Sequence, residues 1–238
     1  MLDYDDLTDD QLEALDRIFG CDETFLYAPM GAGKTVVALT AIQELMQEGF
    51  LKHVLVLGTK KVCESVWRQE RDLWAHLAPM NVIYAPAGKL HEATNEALAY
   101  DNSVLLVNNE NVPKFFAECV GASRFDGLVV DELSKYSAPG GKTFRSLRKN
   151  RKQFKHVLGM TGTPVSEQLQ ALYGQCLIVD RGATFGRNKD KFLRKYFYPT
   201  DFEQRKWAVF PSHDLTLRHF SIVCRLCGRH INIDRGFS

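Results

Sequence analysis

No stretch of this 238-residue sequence stays apolar for the roughly twenty residues that a bilayer span requires. Its opening, MLDYDDLTDD, is acidic where a secretory leader is basic and then apolar. A cytoplasmic protein without membrane association is therefore expected. An excess of either charge is also missing: 30 Lys and Arg balance 29 Asp and Glu, so composition alone makes no case for a nucleic-acid partner. The six cysteines (Cys21, Cys63, Cys119, Cys176, Cys224 and Cys227) do not fall at the spacings of a disulfide framework and read as reduced thiols. There is no internal repeat and no low-complexity segment, which excludes solenoids and disordered scaffolds. A globular chain with enough apolar residues for a sizeable core is left.

One absence is local. From Leu133 to Ser166 there is no acidic residue, while Lys135, Lys142, Arg145, Arg148, Lys149, Arg151, Lys152 and Lys155 accumulate. A second basic run, GRNKDKFLRK, covers Gly186 to Lys195. Solvated helix faces or contacts with a phosphate backbone both account for such runs.

What is present is a regular alternation. Short β-rich runs recur as FLY at Phe25, HVLVL at His53, NVIYA at Asn81, SVLLV at Ser103, GLVV at Gly127 and HVLGM at His156. Helical spacing of apolar residues predicts helices from near Lys34, over Val62–Leu77, Lys89–Tyr100 and Thr143–Gln153, and later over Gln168–Val179 and Asn188–Tyr196. The aromatic-rich stretch after Tyr196 reads as irregular. The fold class predicted is α/β, a doubly wound and mainly parallel sheet, whose ligands gather at the carboxyl ends of the strands.

Three polar loops each follow a strand. In FLYAPMGAGKT, Gly31 and Gly33 allow positive φ and close approach to a ligand, so that the amides of Met30, Gly31, Ala32 and Gly33 and a helix N-terminus can face an anion. Lys34 would reach the β- and γ-phosphates of ATP, and the Thr35 hydroxyl would hold Mg²⁺. Ala28 stands where the usual pattern opens with glycine. In GLVVDELSKY, Asp131 is assigned to the metal and Glu132 to the attacking water; both are expected to be exposed at the strand end. In GMTGTPVSE, Thr161, Gly162 and Thr163 could sense the occupancy of those carboxylates, or simply cap a helix at Thr163-Pro164. Trp67 and Trp74 read as core rather than base-stacking residues.

The order AxxGxGKT, DELS, TGTP, each after a strand, resembles the first RecA-like ATPase lobe (P-loop, DEAD/DEAH-like) of superfamily-2 helicases and translocases, in particular the Swi/Snf-like branch of bacteriophages. The resemblance runs from about Leu7 to Pro199 and extends into LYGQCLIVDRGATFGRNKDKFLRKYFYP. It implies that Gln11 reads adenine, and that VLGTKKVCESVWRQE and LLVNNENV contact DNA through Thr59, Lys60, Asn108 and Asn109, with Thr163 also assigned to nucleic acid. It also implies sequence-independent binding to the DNA backbone, inside a bacterial cell infected by a phage.

The resemblance further implies a second lobe that supplies arginine fingers. No second motif set is recognisable after Pro211, so the expected organisation is a lobe over residues 1–200 and a tail over 201–238. A DNA-dependent ATPase is expected, weak in isolation and completed by another chain or by a second lobe of which this is the N-terminal piece. The alternative is a single-lobe nucleotide- or DNA-binding module that regulates another protein. Cys224, Cys227 and His230 form CxxCxxH, but four ligands at familiar spacings are missing and zinc is not expected.

Overall fold

The computed structural model describes residues 1–163, 169–201 and 207–210. Six strands form one parallel sheet: β1 (Glu23–Tyr27), β2 (His53–Gly58), β3 (Val82–Ala85), β4 (Ser103–Asn108), β5 (Gly127–Asp131) and β6 (His156–Thr161), in the order β1-β6-β5-β2-β4-β3. Each corresponds to one of the six apolar runs. In β2 and β4 every residue is buried, the pattern of strands covered on both faces.

One face carries α1 (Asp9–Phe19), α2 (Lys34–Gln47) and α3 (Trp67–Leu73), which enclose a core containing Leu39, Val56, Trp67, Leu77 and Met160. The other face carries α4 (Leu90–Ala99), α5 (Val112–Glu118), α6 (Lys142–Asn150) and α7 (Ala171–Val179) over Leu55, Leu105, Phe115, Phe125 and Leu177. Helix α7 is buried all round and lies against the Tyr136 and Ser137 carbonyls. A Cβ at Gly174 would come within 2.4 Å of both oxygens, so only glycine permits that approach. Helix α8 (Lys189–Tyr196) stacks Phe192 on Tyr173 of α7, with ring centroids 5.0 Å apart. The basic runs lie largely on the exposed faces of α6 and α8, opposite buried Phe144, Leu147, Phe192 and Leu193.

Two predicted elements differ. The Val62–Leu77 helix is broken into a π turn (Val62–Val66), α3 and a 3₁₀ turn (Ala75–Leu77), because Trp74 turns extended. Part of the stretch read as irregular forms an antiparallel pair, β7 (Phe197–Pro199) with β8 (Trp207–Val209). Cys63, Cys119 and Cys176 are free and buried. Among the described residues no helix is long and apolar enough to cross a membrane. The motif residues Cys224, Cys227 and His230 lie outside the described residues.

Candidate nucleotide and DNA site

Strand order brings the three polar loops together. Register pairs Tyr27 with Thr161, Asp131 with Met160, and Gly58 with Asn108, so the carboxyl ends of β1, β6, β5, β2 and β4 form one line across the sheet. The sequence separates these ends by tens of residues; the crossovers of a parallel sheet make them neighbours.

At the β1 end, Gly31 and Gly33 both adopt positive φ, 82° and 76°. Gly33 is the N-cap of α2 and supplies no side-chain hydrogen bond, so the first amides of the helix are left for another acceptor. The Lys34 ammonium donates to the carbonyl oxygens of Ala28 and Pro29, 2.8 Å each, folded over its own loop. Burial lowers the Lys34 pKa, against the pull of Asp131 and Glu132. Thr35 is half-buried in the first turn of α2, and Met30 is 92% exposed at the loop tip. Gln11 reaches this loop from α1: its Nε2 donates to the Ala32 carbonyl at 3.4 Å, while its Oε1 accepts from the Thr8 amide at 3.0 Å. Gln11 therefore closes a capping box and touches the glycine loop at once.

The carboxylates at the β5 end are half-buried rather than exposed as expected, Asp131 against Trp67 of α3 and Glu132 against Ser134 and Thr161. The Trp67 indole, wholly buried, donates from Nε1 to Asp131 Oδ2 at 3.0 Å. Burial raises the Asp131 pKa, and the indole hydrogen bond opposes that rise. Glu132 sits in the left-handed region at φ 65°, a conformation shared among described non-glycine residues only with Arg181. Such strain persists where the surroundings hold a side chain to a task. Its Oε1 accepts from the Ser134 hydroxyl and from Thr161 Oγ1, the latter at 2.8 Å. Thr161 Oγ1 in turn accepts from the Thr163 amide at 3.1 Å, so the DELS and TGT loops share one hydrogen-bonded chain. Thr163 itself is exposed.

The DNA-assigned residues divide. Thr59 is half-buried and Lys60 exposed at the β2 end. Asn108 is buried, with its amide donating to Glu110 and its carbonyl oxygen accepting from Asn111 at 2.6 Å. Asn109 Oδ1 accepts from the Tyr136 hydroxyl at 2.8 Å. Both asparagine side chains are thus committed to shaping their loop.

Sequence reasoning missed Trp67, whose spacing was that of a core residue. Its only signal is that a buried indole N–H needs an acceptor. It missed Ser134, and also Gln175, fully buried on α7, which donates to Ser137 Oγ at 3.2 Å and accepts from the Tyr27 hydroxyl at 3.5 Å.

Comparison with known proteins adds the family. Residues 5–166 match the model of ResIII, the type III restriction enzyme res subunit. A protein called p41 from Acyrthosiphon pisum secondary endosymbiont phage 1 is 30% identical over 217 residues, covering 88% of this chain and 46% of its own length. A Caenorhabditis elegans chromodomain-helicase-DNA-binding protein 3 homolog is 25% identical over 187 residues, 68% of this chain and 10% of its own. The chain thus spans less than half the length of either relative. The Sulfolobus solfataricus SWI2/SNF2 ATPase core, solved in complex with dsDNA, shares the fold at a TM-score of 0.64 and 18% identity, over 80% of this chain and 39% of that one. The six-stranded sheet has the fold of the SWI2/SNF2 ATPase core, and the chain belongs to the ResIII family.

Proposed function

We propose that this chain binds ATP with Mg²⁺ as the first lobe of a DNA-dependent helicase or translocase, and couples hydrolysis to DNA binding or movement. The observation that carries the reading is the meeting, along one line of strand ends, of an uncapped helix N-terminus bearing Lys34 with Asp131 and Glu132. Loop amides from Met30 to Thr35 cradle the phosphates, Lys34 leaves its two carbonyls for phosphate oxygens, and Gln11 faces the adenine.

Among the described residues no cluster of three His, Cys, Asp or Glu could hold a metal unaided. One carboxylate from Asp131 and one hydroxyl from Thr35 suit Mg²⁺, which keeps water and phosphate oxygens as its other ligands. Bound there, it would neutralise charge on the phosphates. Glu132, held by Ser134 and Thr161, orients the attacking water.

Thr59, Lys60 and Thr163 meet DNA phosphates, with Asn108 fixing the loop beside them. The dsDNA in the archaeal relative's structure and the DNA-binding name of the nematode relative support this partner. Residues 1–200 form the lobe, and full activity needs a second lobe or a partner.

The test is ATP hydrolysis with and without double-stranded DNA, with Lys34→Ala as control. DNA-stimulated turnover that disappears in Lys34→Ala is expected. Absence of nucleotide binding by the wild-type chain would sink the proposal. Binding without turnover, together with biological function surviving Glu132→Gln, would favour a single-lobe regulatory module instead.

A further inference from the structure

One helical rod joins the DNA-assigned strand end to the metal-assigned carboxylate. It begins at Lys60, passes through the π turn Val62–Val66, and continues as α3 to Leu73. Lys60 and Trp67 are seven residues apart, which in an unbroken α-helix is about two turns and would put both on one face. They do not share one: the Lys60 side chain is 70% exposed and Trp67 is fully buried. The π turn accounts for the difference, since one extra residue rotates the rest of the helix by about 100°. Cys63, in the same turn, packs beneath Gly58, where a Cβ would meet its Sγ at 3.2 Å and the Asp131 Cβ at 3.7 Å. The rod therefore presents cations to solvent at its start and an indole N–H to Asp131 further on.

Resting on the function proposed above, we propose that Trp67 is a positioning residue for Asp131, and that the Lys60–Leu73 rod carries DNA engagement to the Mg²⁺-nucleotide site through its indole. The indole N–H donates to Oδ2 of Asp131 and so fixes the rotation of the carboxylate that would meet the metal. A shift of the rod on binding phosphate at Thr59 and Lys60 moves that hydrogen bond directly. By linkage, Mg²⁺-nucleotide must change DNA affinity by the factor with which DNA changes nucleotide affinity.

The test uses the full chain, a fluorescent ATP analogue and Trp67→Phe. In EDTA the variant should bind the analogue within about twofold of wild type, because the glycine loop and Lys34 are untouched. The Mg²⁺ concentration that half-maximally tightens binding should rise about tenfold, the usual scale for losing a residue that orients a metal ligand. Affinity for duplex DNA without nucleotide should persist, while its dependence on Mg²⁺-nucleotide should vanish. Unchanged Mg²⁺ dependence and unchanged linkage would overturn the inference and leave the proposed function standing. A wild-type chain that binds no nucleotide would remove both.

If Trp67→Phe does not fold, a Trp74→Phe/Trp207→Phe chain leaves Trp67 as the sole emitter. Its fluorescence should shift when Mg²⁺ is added to the nucleotide-bound chain, and shift again with DNA. Bound Mg²⁺-nucleotide without any shift would refute the link.

Discussion

Replacing Gly33 by alanine tests whether the glycine loop and Gln11 form one unit. The backbone there has φ 76°, which costs an L-residue about 1–2 kcal/mol. A Cβ would also lie 2.2 Å from Gln11 Nε2, so the amide must leave. Its departure forfeits the bonds to the Ala32 carbonyl and the Thr8 amide, together about 1–2 kcal/mol. Gly33→Ala should therefore destabilise the chain by about 2–4 kcal/mol, and lower Tm by about 2–4 °C for each of those in a chain of this size. Gly31 provides the control, because it shares the positive φ (82°) but a Cβ there meets nothing within 4 Å. Gly31→Ala should lose only the backbone part. In a double-mutant cycle, Gln11→Ala and Gly33→Ala should couple by about 1–2 kcal/mol, since the second change has no amide left to displace. Thermal unfolding of the four chains measures this, and binding of ATP against GTP shows whether adenine preference leaves with Gln11. Equal losses at the two glycines and strict additivity would refute the argument.

Thr161→Val removes the donor to Glu132 and the acceptor for the Thr163 amide at a fully buried position. A loss of about 1–3 kcal/mol and a fall in kcat with little change in nucleotide affinity should follow, read by denaturant unfolding and steady-state kinetics. Arg151 is buried, donates to the Ile178, Val179 and Phe154 carbonyls and pairs with Glu23 at 2.9 Å. Arg151→Met should cost about 3 kcal/mol or more in unfolding experiments while nucleotide affinity of the folded chain holds. His53 and His76 are held below their ordinary 6.5 by burial, so the unfolded chain takes up protons first as pH falls through that value. Tm should be flat above it and drop below it until both imidazoles charge in the folded state; His53→Gln/His76→Gln should flatten the profile.

The strands were legible because a parallel sheet buried on both faces writes each strand as a continuous apolar run, as HVLVL and SVLLV do. The positive-φ glycines of the first loop and the place of the DE pair at a strand end were legible because each follows an apolar run and precedes a helical one. Helices α1 and α5 were not marked. The first had a signal in its Thr8-to-Gln11 capping box, but the second is only two turns and starts at Val112-Pro113. The break at Trp74 and the π turn left no trace, since both preserve an apolar spacing that reads as one helix. For Asn108 the resemblance implied a DNA contact, and no sequence pattern marks what the structure adds, a side chain hydrogen-bonded to Glu110 and Asn111. Trp67 was placed correctly in the core, but its second task depends on a neighbour 64 residues away.

The helix buried on every side, α7, makes the family match and the cooperative folding unit end at different places. The match stops at residue 166, yet Leu172, Tyr173, Leu177, Ile178 and Val179 complete the interior beneath the sheet. At about 2 kcal/mol for each large apolar side chain buried, that helix contributes on the order of 10 kcal/mol, comparable with the whole margin that keeps a domain folded. A chain cut where the recognisable motifs end would carry every residue proposed to face the nucleotide and still open its core to water. In this lobe the loops at the strand ends hold their places only while α7 seals the core behind them.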